Sequence, residues 1–275
     1  MPDHVIYTAV LPIPSATARF VADLLAGHRL QVGTRSGRRA LDTWDQAVLF
    51  LRWLHDATRI AQLAVDNHIG RSTAYRYVHE TLAVLADQAP AVHSALTAAS
   101  MAGYTHINLD GTVIRTDRCS IAGPTRRVDL WWSGKHKAHG GNIQVMTAPD
   151  GWPIWVSPVR PGREHDTTCA RAADGLLQAV QTWNTAGRHV LADLGYEALD
   201  DQFVIPAKKP TGGQLTINER ARNALHHALR GIGERGNALL KNFKALRRVS
   251  LSPSSIGPIV AAALVILHHI HDRTT

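Results

Sequence analysis

The sequence predicts an α/β fold, a mixed sheet flanked by helices, that follows an all-α amino-terminal region. Apolar residues recur at helical spacing up to about residue 87. Short strand-like apolar runs follow between residues 107 and 156, and Asp150-Gly151 is a strong hairpin signal between the last two runs. Helical and strand patterns then alternate to the end of the chain. We therefore predict a helical region at residues 1–95 and an α/β domain at residues 96–275.

Composition indicates an ordinary globular protein with a basic surface. The chain has 275 residues, of which 45% are hydrophobic and 19% are charged. Thirty Lys and Arg against 22 Asp and Glu give a formal net charge of +8. This excess favours a polyanionic partner through phosphate neutralisation and counterion release. Many unrelated proteins are equally basic, so charge alone does not identify nucleic acid as the partner.

Cysteine content and hydropathy bear on the cellular compartment. Cys119 and Cys169 do not form a CxxC pair, which excludes a disulfide framework and a four-cysteine zinc site. The start of the chain, residues 1–4, lacks the basic-then-apolar layout of a signal peptide. The longest apolar stretch, residues 256–270, contains Gly257 and a proline and is predicted to be a buried helix. We expect a cytoplasmic, nucleoid-associated protein that does not contact a membrane.

Residues 57–87 have the pattern of a helix-turn-helix. Helical spacing begins near Ile60, breaks at His68-Ile69-Gly70 and resumes from Ser72 to Leu85. Small polar and basic residues begin the second helix, where such motifs contact base edges and phosphates. The candidate DNA contacts are Arg71, Ser72, Thr73, Tyr75 and Arg76. A helical hairpin in a protein core would give a similar pattern, so the motif alone leaves both interpretations open.

Three acidic residues, far apart in the chain, could gather around divalent metal ions. Ile107 and Leu109 alternate with polar residues, so a strand would bury this pair and carry Asp110 at its end. Asp193 follows a second short apolar run, and Glu234 starts a helical pattern. Carboxylates are the ligands that magnesium and manganese prefer in two-metal phosphodiester chemistry. Taken singly, each aspartate is also explained by a turn after a strand.

Five segments follow one another along the chain, namely Asp110-Gly111, Ser133–Lys137 with Gly141–Val145, Pro161–Asp166, Ala192–Tyr196 and Glu234–Lys241. In this order they resemble the DDE transposases of bacterial insertion sequences, and the resemblance extends from roughly residue 34 to residue 270. The resemblance implies a ribonuclease-H-like catalytic domain preceded by a helix-turn-helix. It also implies that Asp110, Asp193 and Glu234 are the catalytic residues and hold Mg²⁺ or Mn²⁺, as two ions, and that Lys241 contacts DNA.

The third acid is less secure than the first two. Glycines around Glu234 weaken a helix there, whereas the family places this acid within a continuous helix. These glycines could let a DNA backbone approach closely, or they could indicate that the chain is a degraded copy of an active transposase. Glu219 and Glu197 are rivals, but neither has the sequence context that Glu234 shares with the family.

For residues of two further segments, the sequence allows more than one role. His165 is a possible accessory residue that would hydrogen-bond a phosphate or order the site. Asp166 could act behind the metal ligands, but it is more simply predicted to cap a helix that begins near Thr167. His136 and His139 have an H-x-x-H spacing, but glycines around them indicate a turn and further soft ligands are missing nearby. We do not expect a zinc site.

The function predicted from these features is that of an insertion-sequence transposase. Its partners would be double-stranded DNA, as the terminal repeats of the element and as target DNA, and it would act as a homodimer on DNA. Metal-assisted attack by water would cleave the element end, and the freed 3′-hydroxyl would then attack target DNA. Two alternatives remain, namely an endonuclease of the same fold without strand transfer and a non-catalytic helix-turn-helix regulator.

Overall fold

The computed structural model describes residues 9–35 and 37–275, which form two compact units. One unit ends at Val84 and the other runs from Leu85 to Thr275. Residues 1–4, from which we argued against a signal peptide, lie outside the described part of the chain. The domain boundary after residue 95 stays a prediction from sequence.

The first unit is helical, as the sequence predicts. Its helices are α1 (Ser15–Gln31), α2 (Thr43–Asp56), α3 (Ile60–Asp66) and α4 (Arg71–Ala86), the last of which runs across the boundary between the units. Asp42 caps α2, because its side chain accepts a hydrogen bond from the Asp45 backbone N–H at 2.8 Å. Helices α1 and α2 bury Leu25, Phe50 and Leu54 completely.

Helices α3 and α4 and the short turn between them form the predicted helix-turn-helix pattern. The turn has His68 in the left-handed region, at φ 53°, whereas Gly70 has an ordinary backbone conformation. The Ile69 N–H donates to the Ala64 carbonyl at 3.0 Å, which closes the end of α3. Residues Ala74, Tyr77 and Val78 bury the inner face of α4 and leave its other face exposed.

The second unit is built on a mixed sheet whose centre is a pair of long strands. Its strands are β1 (His106–Arg115), β2 (Trp132–Ser133), β3 (Ala138–Thr147), β4 (Pro153–Val156), β5 (Arg160–Pro161) and β6 (His189–Leu191). Strand β1 is antiparallel to β3 and parallel to β6, while β2, β4 and β5 all pair with β3. A parallel bridge from Leu191 to Val204 extends the sheet beyond β6. The sheet thus has an antiparallel half and a parallel half.

Helices flank this sheet, so the predicted fold class is confirmed. They are α5 (Val92–Met101), α6 (Asp166–Ala172), α7 (Leu176–Thr185), α8 (Ile217–Gly231), α9 (Glu234–Lys241) and α10 (Ile256–His271), with 3₁₀ turns at Leu194–Leu199, Lys244–Leu246 and Pro253–Ser255. Helix α10 is apolar over a length that could cross a membrane, yet most of it is buried inside the unit. It is therefore a core helix, and His268 on it donates from Nε2 to the Pro153 carbonyl at 2.8 Å.

Strand β1 differs from its prediction in one respect that matters for the site. We expected Asp110 at the end of a strand, but β1 continues through it to Arg115. The reason is that β3 pairs with β1 without interruption from Asn108 to Arg115. Asp110 therefore projects from the middle of the central strand.

Other elements are shorter than the sequence indicates. The run at residues 128–132 contributes only Trp132 to a strand, and residues 203–206 contribute only the Val204 bridge. The helix predicted from Thr167 to Trp183 is broken into α6 and α7 at Gly175, which has φ 71°. Apolar runs of four or five residues satisfy strand and loop patterns alike, and the tertiary context decides between them.

The two cysteines should differ sharply in reactivity. Cys169 is 1% exposed, and burial together with the charges of Glu164 and Asp166 raises the pKa of its thiol to about 12. Cys119 is partly exposed. Because the thiolate is the nucleophile, we expect a maleimide at pH 8 to label Cys119 rapidly and Cys169 only after unfolding in denaturant. Mass spectrometry of the native protein would measure this, and equal labelling of both thiols would contradict the burial of Cys169.

Candidate active site

Asp110 lies at the centre of the site and is tied to the α8–α9 segment. Its side chain is 22% exposed. Arg230, near the end of α8, donates from Nη2 to Asp110 Oδ1 at 2.9 Å. Asn237, on α9, donates from Nδ2 to Asp110 Oδ2 at 2.9 Å. Both carboxylate oxygens are therefore fixed by one helical segment.

Asp193 lies beside Asp110 because β6 runs parallel to β1. It follows β6 by two residues and begins the 3₁₀ turn Leu194–Leu199, with its Oδ1 accepting from the Gly195 N–H at 2.8 Å. The other oxygen, Oδ2, is 4.0 Å from Arg230 Nη2. The same guanidinium nitrogen is thus close to the carboxylates of Asp110 and Asp193. The structure brings these two predicted acids together.

Glu234 is the third predicted acid, and its side chain is exposed at the start of α9. It lies between Arg230 and Asn237 in sequence, and the spacing of 230, 234 and 237 is that of one helical stripe. Ile232 and Gly233, which join α8 to α9, have helical dihedral angles. The acid thus belongs to the segment that contacts Asp110. Among the described residues, no three His, Cys, Asp or Glu side chains lie close enough to hold a metal ion.

The rival acids are occupied elsewhere. Glu219 is exposed and forms a capping box with Thr216 at the start of α8. Glu197 forms an exposed ion pair with Lys208, with Nζ and Oε2 2.8 Å apart. The choice of Glu234 over these two rivals stays a prediction from sequence.

Glycines at the α8–α9 junction let the helix lie close to the sheet. A Cβ atom on Gly236 would be 2.4 Å from the Thr147 Cγ2 atom, and one on Gly233 would be 3.0 Å from the Asn108 Cβ atom. Gly231 has open space around it. The two buried glycines therefore serve the approach of a helix to the sheet, a role that the sequence did not reveal.

Asp166 is a correction to the sequence prediction. We expected it to cap a helix starting near Thr167, but α6 already begins at Asp166 and the cap position is His165, whose side chain makes no capping bond. The Asp166 carboxylate instead faces the site, where its Oδ1 accepts from Asn142 Nδ2 at 2.7 Å. The partner of this side chain, Asn142, is on a strand that is distant in sequence. A local capping rule does not consider such distant contacts.

The charges of two other carboxylates affect the carboxyl group of Asp110. Burial raises the pKa of Asp110, the Arg230 guanidinium opposes this shift, and the charges of Asp193 and Asp166 add to it. Burial also raises the pKa of the Tyr196 hydroxyl well above its usual value, and the same three carboxylates contribute. The negative charges of Asp110, Asp166 and Asp193 therefore act on the same small region.

Lys241 lies next to this region. It donates from Nζ to Thr112 Oγ1 at 2.8 Å, two residues after Asp110 on β1. Burial lowers the pKa of its ammonium group, although the charge of Asp110 opposes the shift. The residue predicted to contact DNA is thus half-buried beside the acidic centre.

A cleft opens on the Asp166 side of the site. It has a volume of about 220 Å³. Its lining includes Lys135, His136, Arg163, His165 and Asp166. Partial burial and the neighbouring Lys135 charge lower the pKa of His136. His165, the predicted accessory residue, is exposed at this cleft.

The predicted DNA contacts of the helix-turn-helix occupy the outer face of α4. Arg71, Ser72, Tyr75 and Arg76 are exposed, and Thr73 is partly exposed. Arg76 donates from Nη2 to Thr73 Oγ1 at 3.2 Å. The face is basic, hydroxyl-rich and open to solvent.

Comparison with known proteins identifies the family of the catalytic unit. No curated protein matches the sequence. A structure titled "Mos1 transposase paired-end complex with left transposon end" aligns over 86% of this chain and 85% of that chain, with 9% identity and a TM-score of 0.20. The model of the DDE superfamily endonuclease family matches residues 109–268, more than half of the chain and both aspartates of the site. The chain therefore belongs to the DDE superfamily endonucleases.

Proposed function

We propose that this protein is a DNA transposase that cleaves the ends of an insertion element and joins them to target DNA. The observation that carries the proposal is the pairing of Asp110 and Asp193, from adjacent parallel strands, around Arg230 in a DDE endonuclease domain. Water would attack the phosphodiester at the element end and break its P–O bond to release a 3′-hydroxyl. That hydroxyl would then attack a phosphodiester of target DNA, forming a new P–O bond and breaking the target's own P–O bond to release a target 3′-hydroxyl, without a covalent protein intermediate.

The donor atoms of the predicted acids have the chemistry that divalent cations require, although no three of these side chains lie together in the described part of the chain. Asp110, Asp193 and Glu234 supply only hard oxygen ligands, as Mg²⁺ and Mn²⁺ require. Asp110 and Asp193 converge, and their charges already disfavour each other, which a cation would relieve. We propose that these three acids hold two such ions. When bound, the ions would activate the attacking water and neutralise charge on the phosphoryl oxygens.

The protein's own groups would prepare the site. Arg230 and Asn237 fix the Asp110 carboxylate in one orientation through two hydrogen bonds. A ligand held in this way loses little conformational freedom when it binds its ion. Lys241, beside Thr112, would place a positive charge where a DNA phosphate approaches Asp110.

The outer face of α4 would bind the terminal repeats. Its exposed arginines and hydroxyls suit the phosphates and base edges of a major groove. DNA binding and chemistry would then rest on different elements of the chain. The enzyme would work in the cytoplasm, as a homodimer on DNA.

Neutralising the acids should separate binding from cleavage. We expect Asp110→Asn, Asp193→Asn and Glu234→Gln to keep their affinity for element-end DNA and to lose Mg²⁺-dependent cleavage by several orders of magnitude. The reason is that each change removes an anionic ligand without changing side-chain shape. Cleavage of a labelled end fragment and a parallel gel-shift titration would measure both properties.

Controls make this test specific. Asp174→Asn, at an exposed position outside the site, should cut at the parent rate. If Glu234→Gln cuts normally while Glu219→Gln does not, the third ligand is misassigned. Full activity of all three site variants would refute the metal site itself. A pre-cleaved end with a 3′-hydroxyl, incubated with supercoiled target, would distinguish a transposase from an endonuclease that does not join DNA.

The helix-turn-helix assignment is tested by salt dependence. Arg71→Ala combined with Arg76→Ala should weaken binding to element ends and reduce the slope of log K against log salt by about two, roughly one for each lost phosphate contact. The matched control is Arg19→Ala, an exposed arginine of α1. Unchanged affinity and slope in the double variant would remove α4 from the DNA interface.

A further inference from the structure

A pocket beside the start of β3 contains none of the residues assigned above to DNA binding or cleavage. Its volume is about 490 Å³, within the range of about 300–1,000 Å³ that is usual for small-ligand pockets. The lining residues are Arg118, Arg127, Val128, Asp129, Trp132 and His139. The pocket thus combines an aromatic ring with two guanidinium groups and is large enough for one nucleotide.

The aromatic part of the pocket is held in place by the β2–β3 pair. Trp132 on β2 lies directly opposite His139 on β3, and the two rings pack edge to face with their centroids 5.1 Å apart. The His139 Nε2 atom is 3.0 Å from Asp129 Oδ2, which fixes the imidazole. Trp132 is partly exposed. Its ring is therefore fixed by its neighbours and still offers surface to a ligand.

Two arginines supply positive charge at this pocket. Arg118 and Arg127 are exposed, whereas the carboxylate of Asp129 is already next to His139. Arg127 has φ 63°, a left-handed conformation that favours glycine and is uncommon for a residue with a long side chain. Residues held in this way are frequent at functional sites. The chain thus places a cation at the pocket where the backbone alone would favour glycine.

This combination of groups fits an unpaired nucleotide. A guanidinium binds a phosphate through charge-assisted hydrogen bonds. An aromatic ring stacks on the flat face of a nucleobase, whichever base it is. Inside a duplex these faces are covered by the neighbouring base pairs, so a base must leave the stack to reach the Trp132 ring.

The pocket lies on the same face of the sheet as Asp110. Asp110 pairs with Val145, which is six residues after His139 on β3, so Asp110 and His139 project from one face. Thr116, whose N–H donates to the His139 carbonyl, is six residues after Asp110. This spacing corresponds to about 20 Å along a strand. A DNA strand that advances by about 3.4 Å for each nucleotide would cover it in roughly six steps.

We propose that this pocket binds a single unpaired nucleotide of a DNA strand, with its base stacked on Trp132 and its phosphates bound by Arg118 and Arg127. This inference rests on the proposed function and deepens it, since it assigns a DNA contact on the face that carries Asp110. The pocket would hold a strand that has left the duplex near the cleavage site.

DNA binding without cleavage tests the proposal. We would measure the affinity of the full chain for two fluorescently labelled duplexes of the same sequence, one blunt and one with a short single-stranded overhang. EDTA in the buffer would prevent metal-dependent cleavage. The parent protein should bind the overhang duplex at least about fivefold more tightly, which corresponds to the stacking of one base on an aromatic side chain.

Changes at the tryptophan test the stacking. Trp132→Ala should abolish the preference for the overhang while affinity for the blunt duplex stays within twofold of the parent value. Trp132→Phe keeps an aromatic ring and should retain part of the preference. The matched control is Trp44→Ala, because Trp44 is a tryptophan of α2 that is 40% exposed. This control should keep the full preference.

A glycine at position 127 separates binding from folding. Arg127→Gly removes the cation but suits the left-handed backbone, so it should reduce the preference for the overhang without lowering the melting temperature. The matched control is Lys137→Gly, since Lys137 is also an exposed cation with positive φ, at 50°, and is outside the pocket lining. It should keep the preference. This pair decides the question even where Trp132→Ala fails to fold.

The outcomes separate this proposal from the one on which it rests. Equal affinity of the parent for both duplexes, or a full preference in Trp132→Ala or Arg127→Gly, would overturn the pocket assignment and leave metal-dependent cleavage as a separate test of the transposase proposal. Displacement of the overhang duplex by an equal concentration of free dAMP would assign the pocket to a free nucleotide and overturn its role in strand binding. A parent protein that binds neither duplex would overturn both proposals.

Discussion

The second unit depends on how the charge of Asp110 is balanced inside its central strand. The carboxylate is largely buried, and its partners Arg230 and Asn237 come from a segment more than a hundred residues later in the chain. Removal of one member of such a pair leaves an uncompensated buried charge, which costs about 3–5 kcal/mol in comparable cases. The contact therefore fixes the α8–α9 segment on the sheet, and it fixes the position of Glu234 at the same time.

Two residues of the sheet beneath the α8–α9 segment have buried polar groups without partners, which makes the contact of Asp110 with this segment more important. The side-chain amide of Asn108 and the hydroxyl of Thr147 are buried there and lack a hydrogen-bond partner among the described residues. Each unsatisfied group costs about 1–3 kcal/mol. Gly233 and Gly236 bring the helix close enough to exclude water from this part of the sheet. The ionised Asp110 carboxylate accepts two hydrogen bonds from this segment, and these bonds offset the cost.

The periodic spacing of apolar residues was sufficient to predict the elements that have a regular sequence pattern. Helical spacing located α1, α2 and the helix-turn-helix, and the Asp150-Gly151 signal located the turn between β3 and β4, where Gly151 has φ 83°. The pairing of Asp110 with Asp193 also followed, because adjacent strands of a sheet bring their acids together. These features depend on residues that are near one another in sequence or on the geometry of one sheet.

The rest of the site could not be found in this way. Arg230 occupies a helix rich in polar residues, and its spacing does not distinguish it from its exposed neighbours. Asp166 satisfies a local capping rule, and only the approach of β3 and the turn after β6 gives it a different set of contacts. Gly111 and Gly195 are typical of turns, yet the structure shows a carboxylate next to each of them. Contacts between distant segments decide all of these roles.

For the function that we propose, the distribution of charge would set the order of events on DNA. The chain carries a formal net charge of +8, but Asp110, at the centre of the candidate active site, experiences the negative charges of Asp193 and Asp166. Positive groups outside this centre attract the polyanion over a distance comparable to the Debye length, about 8–10 Å at physiological salt. The carboxylates would repel a phosphate at closer range until cations compensate for them. Affinity for DNA and competence for chemistry would therefore depend on different residues, and the second would be controlled by whatever balances the charges of Asp110, Asp166 and Asp193.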